Sequence, residues 1–414
     1  MAAGSSIAKK FKGLFSGITG NVWILGVVSM LTDVASEMIF AVLPVYLSSV
    51  LGLSTSVIGL IEGFAEASAN ISRMASGIVS DAIKKQKNVV IFGYALSSFS
   101  KPLFGFATSA PIMFIVRVAD RVGKGIRDAP RDALIADSTK TKKRGAAFGL
   151  HRSMDKVGAV IGPLIAIVLL PLMAYNYRDF FLLSIIPGIL SLAVLYFYIR
   201  EPAKKRIEAA KVKDSKKMNL NWNLFHPQLT PEYRKALVIA LVFALGNFSF
   251  VFLMLRLVDF GIAAALIPVA YLASNLVYML SATPVGFLSD RIGRKSILAA
   301  GYAIFCILCI LAAVGGGVEA GWLLILLYGL FTGTVETMQR AFVVDIVGKE
   351  RRATALGTYF GTVGLLTFFA SALAGLLWQY LGAWAAFGFA AAVSAVSLMM
   401  LLAWFPNGNS VTET

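Results

Sequence analysis

The stretch Arg117–Asp137, RVADRVGKGIRDAPRDALIAD, carries nine charged residues: Arg117, Asp120, Arg121, Lys124, Arg127, Asp128, Arg131, Asp132 and Asp137. On both sides the chain is apolar, with PIMFIV at 111–116 and VGAVIGPLIAIVLLPL at 157–172. In a soluble protein this run would be an ordinary solvated helix. The composition excludes that reading: 58% of the 414 residues are hydrophobic, 14% are charged, and mean hydropathy is +0.77. A soluble domain needs roughly 25% charged residues to cover its surface. The main solvent of this chain is therefore lipid, and the charged stretch lies inside a membrane protein.

Working outward, twelve apolar runs can be read, at 22–50, 55–80, 87–107, 110–137, 145–172, 178–199, 234–260, 264–288, 295–314, 319–346, 352–380 and 383–405. Each is long enough to cross a hydrocarbon layer of ~30 Å, some with tilt. The connections alternate in charge. Lys84, Lys85 and Lys87 follow the second run, and Lys140, Lys142, Lys143 and Arg144 the fourth. Arg291, Arg294 and Lys295 follow the eighth, and Lys349, Arg351 and Arg352 the tenth. Several connections of the other set (LGLS at 51–54, TSAP at 108–111, GGGVEAGW at 315–322) carry almost no charge. The positive-inside rule puts the basic connections and both termini in the cytoplasm. Residues 1–20 are short and basic, and no cleaved signal is expected there.

The expected fold class is an all-α membrane protein of twelve transmembrane helices in two parallel six-helix repeats. A basic segment containing AKKRIEAAKVKDSKK divides the chain into a bundle at 1–200, a cytoplasmic linker at 201–233 and a bundle at 234–414. Landmarks recur across it. Gly77 and Asp81 match Gly286 and Asp290 at an offset of 209, while Lys143-Arg144 matches Arg351-Arg352, and Asp137 matches Asp345, at 208. Duplicated six-helix units related by an axis along the membrane normal bind substrate near the midplane between the halves.

Several function classes are disfavoured. Cys306 and Cys309 sit within an apolar run and read as small apolar helix residues; with only His151 and His226 besides, no metal site or cofactor is expected. The net charge of +16 lies in membrane-flanking loops, without the aromatic-rich basic patch of a nucleic-acid binder. Gly123-Lys124-Gly125 lacks the remaining positions of a phosphate-binding loop, so nucleotide-driven pumping is not expected, nor is an enzyme.

The segment Gly286-Phe-Leu-Ser-Asp290-Arg291-Ile-Gly293-Arg294-Lys295 resembles the signature loop G-x-x-x-D-R-x-G-R-K of the major facilitator superfamily. The earlier copy keeps Gly77 and Asp81, but Ala82 replaces the arginine and Lys84 the second glycine. Physically the motif reads as a gating latch: glycine allows close helix approach, and an aspartate at a helix end can pair with a neighbouring helix N-terminus or an arginine. Gly149, Gly158, Gly162 and Pro163 match most of the pattern of antiporters in that superfamily, without its closing glycine pair. Gly158-x-x-x-Gly162 is equally a plain packing face of small residues. Arg117 with Gly123 resembles a family pattern linked to proton transfer; Arg121 stands where glycine is common, so either arginine can hold that role.

Ionisable groups in lipid are costly and normally face a cavity or a partner. Asp33 and Glu37 lie one turn apart and share a face. Glu62, Glu66, Asn70 and Arg73 form a stripe on the second run, Lys101 lies on the third, and His151, Arg152, Asp155 and Lys156 lie on the fifth. The candidates for coupling or substrate contact are Asp33, Glu37, Arg117, Asp120, Arg121 and Asp155. Arg117 or Arg121 is expected to pair with Asp33, Glu37 or Asp120, while Glu62, Arg73, Asp128, Arg131 and Asp132 read as a structural network. The resemblance implies a secondary transporter working by alternating access, and the antiporter-like helix implies proton-coupled export of a small organic molecule. Uptake of an organic anion gripped by the span-four arginines is the alternative, and a non-transporting membrane sensor a third reading. The partners expected are a small-molecule substrate, protons and the lipid bilayer of the cell membrane, with the protein a monomer.

Overall fold

A computed structural model describes residues 19–83, 86–139, 144–199, 230–347 and 352–405. Most of the linker expected at 201–233 lies outside these. The described residues form helices that trace twelve spans. Span 1 is Gly20–Phe40, prolonged by a short helix Leu43–Val45 and a π-helical turn Tyr46–Val50. Spans 2 to 5 are Thr55–Ile83, Gln86–Leu103, Ala110–Asp137 and Arg144–Leu172, and span 6 is Tyr177–Leu183 with Ile185–Tyr198. Span 7 is Pro231–Gly246 and Phe250–Asp259. Spans 8 to 12 are Ile267–Ile292, Arg294–Val314, Val318–Ile346, Arg352–Leu381 and Ala383–Trp404. By length and apolarity alone, 10 candidate spans qualify. Spans 2 and 4 fall short because they carry the charged stripes.

Local chemistry sets the helix ends. Thr230 caps span 7, its hydroxyl accepting from the Tyr233 amide at 3.2 Å ahead of Pro231. Gly293 joins spans 8 and 9 with φ +91°, a conformation that an L side chain rarely adopts. Span 7 breaks at Asn247–Ser249, and side chains meet the groups that the break exposes: the Ser249 amide donates to Ser371 Oγ at 3.1 Å.

Contacts divide the chain into two compact units. The first comprises Met1–Ile39, Ser72–Ala107 and Ala119–Ile207, the second Phe40–Ile71, Thr108–Val118 and Glu208–Thr414. The first unit's core draws on Val22, Leu25 and Val28 of span 1, Val90 and Tyr94 of span 3, Leu134 and Ile135 of span 4, and Leu195 of span 6. In the second, Phe243 stacks on Tyr302 at 4.1 Å, with Phe305 and Phe331 against the same ring. The second unit thus takes in one end of spans 1, 2 and 4, and for span 2 the physical reason is glycine packing. A Cβ on Gly59 would lie 2.4 Å from the Ser371 carbonyl oxygen, and one on Gly63 2.8 Å from that of Phe368. From the other side, a Cβ on Gly375 would lie 2.5 Å from the Thr55 carbonyl oxygen. Spans 2 and 11 therefore run antiparallel at near backbone contact, which only small residues permit.

The repeat seen in the sequence recurs in the contacts. Gln86 Nε2 donates to Asp137 Oδ2 at 3.2 Å, and Arg294 Nη1 to Asp345 Oδ1 at 2.9 Å. Both partners shift by 208 residues, and each bond spans 51 residues. At the same offset, a Cβ on Gly93 would strike the Arg127 backbone at 2.7 Å and one on Gly301 the Val335 side chain at 2.6 Å. Spans 3 and 4 cross as spans 9 and 10 do.

Candidate functional site

In the first unit, ion pairs occupy the interior of spans 1 to 5. Glycines let the backbones approach there: besides Gly93, a Cβ on Gly123 would lie 2.5 Å from the Ser97 amide nitrogen. That close crossing brings Asp120 to span 3. Lys101 Nζ lies 3.1 Å from Asp120 Oδ1, and Ser97 Oγ accepts from Lys101 at 2.6 Å and donates to Asp120 at 2.7 Å. Arg73 donates from Nε to Asp128 Oδ2 at 3.1 Å. Arg131 lies 3.5 Å from Asp128 and 3.0 Å from Asp132. These three neighbouring pairs link Arg73, Asp128, Arg131 and Asp132; Glu62, expected with them, pairs with Arg117 instead.

Asp33 meets span 4 at a different residue from those expected. Its partner is Arg127, with Nη2 3.8 Å from Asp33 Oδ1, and the guanidinium lies over the Tyr94 ring at 4.5 Å. The Arg127 side chain is 1% exposed and that of Asp33 20%. Span 5 sets the position of span 1 here. A Cβ on Gly158 would lie 2.5 Å from the Met30 carbonyl oxygen and 3.0 Å from Asp33 Cβ, and one on Gly162 would lie 2.7 Å from Glu37 Cβ. Gly158 and Gly162 thus sit against the two candidate acids of span 1. Pro163 is buried in the same helix, whereas a Cβ on Gly149 would meet nothing within 4 Å. One turn before Gly158, Asp155 Oδ2 lies 3.4 Å from Nδ1 of buried His151. Glu37 and Arg121 are half-buried.

Arg117 belongs to the second unit, where it pairs with Glu62. Arg117 donates from Nε to Oε1 at 2.7 Å and from Nη2 to Oε2 at 2.9 Å, a bidentate pair. The Glu62 side chain is 0% and that of Arg117 3% exposed. Ser249 Oγ, from the break in span 7, donates to Glu62 Oε2 at 3.3 Å, and the Arg117 guanidinium lies over the Phe40 ring at 4.6 Å. A depth argument finds this pair in the sequence. Glu62 and Arg117 each lie seven residues from the helix starts Thr55 and Ala110, roughly 10 Å in from the same end. Lys101 and Arg127 were likewise missing from the candidate list; no such sequence signal singles out Arg127.

Of the latch residues, the side chains of Gly77, Asp81 and Asp290 lie outside those described. Gly286 has open space around its Cα, and Arg291 is exposed. Arg294 makes the Asp345 contact described above.

The family model of the Major Facilitator Superfamily matches residues 25–273 and 236–414. The chain belongs to the Major Facilitator Superfamily. An uncharacterized MFS-type transporter of Methanocaldococcus jannaschii is 35% identical over 368 residues, 87% of this chain and 89% of that protein. A gentisate transporter of Corynebacterium glutamicum is 26% identical over 424 residues, 97% of this chain and 92% of that protein. The crystal structure of the nucleoside transporter NupG superimposes with TM-score 0.73 at 16% identity, covering 94% of this chain and 100% of that one, a likeness of fold. The fold is the twelve-helix fold of this superfamily, and the family is one of secondary transporters residing in membranes.

Proposed function

We propose that the chain is a proton-coupled secondary transporter that carries a small organic molecule by alternating access, with Asp33 as the coupling acid. One observation carries the reading. Asp33 stands in mid-span with one side toward a buried guanidinium at 3.8 Å, while 20% of its side chain is left uncovered by the protein. A carboxylate that loosely held can exchange its cation for a proton as its surroundings change. The Glu62–Arg117–Ser249 cluster is the gate at the end opposite the basic loops. The Gly286–Lys295 loop, with its copy at Gly77 and Asp81, is the latch at the other end. The basic connections and both termini face the cytoplasm across the cell membrane, and the working unit is a monomer.

The glycine pattern on span 5 argued for export. Its packing against span 1 gives those glycines a job independent of direction. A second reading, uptake of an organic anion, has support of its own: a relative over nearly the whole chain is a gentisate transporter, and the buried cations of span 4 suit a carboxylate cargo.

Reconstitution in liposomes under an imposed pH gradient tests the coupling. Asp33→Asn is expected to abolish gradient-driven accumulation while counterflow exchange persists. Accumulation at the wild-type level in Asp33→Asn would remove Asp33 from that role, and the sign of the productive gradient separates export from uptake.

A further inference from the structure

Arg127 is a buried cation with unsatisfied donors. Its Nε and Nη1 have no hydrogen-bond partner among the described residues. Its ion-pair contact with Asp33, at 3.8 Å, is beyond hydrogen-bond reach. A guanidinium presents two edges of parallel donors, Nε–H with Nη2–H and Nη1–H with Nη2–H. Neither edge is closed. The Tyr94 ring covers one face of the group. Leaving a charged donor buried and unsatisfied costs more than leaving a neutral one.

Architecture does not require this charge. The position 208 residues on is Val335, 3% exposed, at the matching helix crossing. Lys101 corresponds at the same offset to Cys309, also buried. The second repeat packs the same crossing with apolar residues, so the first repeat carries its cations for another reason. Lys101 has one in Asp120 and Ser97. Among the described residues Arg127 has the loose contact with Asp33 and the face of the Tyr94 ring.

We propose that Arg127 is the anion-recognising residue of the transport site and takes the carboxylate of a small organic acid on an open guanidinium edge. The proposal rests on the transport reading and deepens its organic-anion form. Asp33 and the incoming carboxylate compete for one guanidinium, so neutralising Asp33 favours the cargo. The charged groups acting on Asp33 are Lys124, Arg127 and Arg131 of span 4, Asp155 of span 5 and Lys101 of span 3. Proton and anion then bind together, which couples them as symport.

The test measures binding to purified full-length protein by thermal stabilisation and calorimetry. The probes are benzoate, 2-hydroxybenzoate and succinate, against their amides and equal sodium chloride. At least one carboxylate is expected to stabilise the wild type, while its amide does not. Arg127→Gln should abolish that shift, and Arg127→Lys, which keeps a point charge without the fork, should weaken it roughly tenfold or more. Asp33→Asn, which removes the competitor and leaves Arg127 in place, should tighten carboxylate binding roughly tenfold; this arm stands even where Arg127→Gln fails to fold. No carboxylate binding, equal binding of the amide, undiminished binding to folded Arg127→Gln, or weaker binding to Asp33→Asn would each overturn the proposal. Arg127-dependent binding without counterflow in liposomes would instead sink the transport reading and leave the anion site standing.

Discussion

The Glu62–Arg117 pair should act as a conditional lock, and removing one partner should weaken the closed seam far more than removing both. The structure sets the magnitude. Both side chains are buried, two short bonds join them, and Ser249 adds a third at 3.3 Å. In Arg117→Met the Glu62 carboxylate keeps, among the described residues, the Ser249 hydroxyl, and breaking a buried pair from one side costs about 3–5 kcal/mol. If the cluster dissolves when the seam opens, that cost falls on the closed state alone. The closed fraction then drops by roughly two to nearly four orders of magnitude, less whatever the glycine packing of spans 2 and 11 retains. Glu62→Met with Arg117→Met removes both charges, a change that in buried pairs is often neutral or stabilising. The assay is maleimide labelling of Ser371→Cys, a seam position 1% exposed, in a Cys306→Ser/Cys309→Ser background. Arg117→Met should label at least about a hundredfold faster, and the double variant should return close to the parent. A single variant that labels like the parent, or a double variant as open as the single, refutes the lock.

Gly162→Ala should lower the melting temperature and misplace Glu37, since its methyl would lie 2.7 Å from Glu37 Cβ and the Met38 amide, while Gly149→Ala, with open space, should melt like the wild type. Arg294→Ala should cost under about 1 kcal/mol in denaturant titration, because the pair with Asp345 is substantially exposed. Asp290→Asn should slow transport in liposomes while leaving membrane insertion and cargo affinity near wild type; an unchanged transport rate would remove the latch role. Lys101→Met should be markedly less stable than Lys101→Met with Asp120→Asn, as measured by melting, because the single change takes the countercharge from a buried carboxylate.

The span count, the alternating loop charge and the repeat are legible because each follows from summed hydropathy or from fixed offsets along the chain. The pairing of charges is harder to read, because it depends on rotation and depth at once. Asp33 shares a face with Glu37, but which span-four cation reaches it depends on how tightly spans 3 and 4 cross, and Gly93 and Gly123 settle that. Arg117 has a partner on span 2 that spacing along one helix does not name. It meets Glu62 because both lie at one depth, and because Gly59 and Gly63 hold span 2 against span 11 at that level. Asp128, Arg131 and Asp132 share one face of span 4, so their grouping is legible in the sequence, whereas Arg73 joins them from span 2, which spacing along one helix does not show.

The duplication gives a further step. Two repeats with one packing scheme supply an internal control for every buried charge. Where both repeats carry a polar contact at one offset, as in Gln86–Asp137 and Arg294–Asp345, the contact belongs to the architecture. Where only the first does, the charge needs a separate cause, because a buried ion costs free energy that an apolar residue does not. Asp120 faces this test against Tyr328, Lys101 against Cys309 and Arg127 against Val335. Lys101 and Asp120 satisfy each other through Ser97, so their cost is largely met within the protein. Arg127 is left with open donors, and an open donor on a cation that the fold does not require is the feature a ligand would be selected to fill.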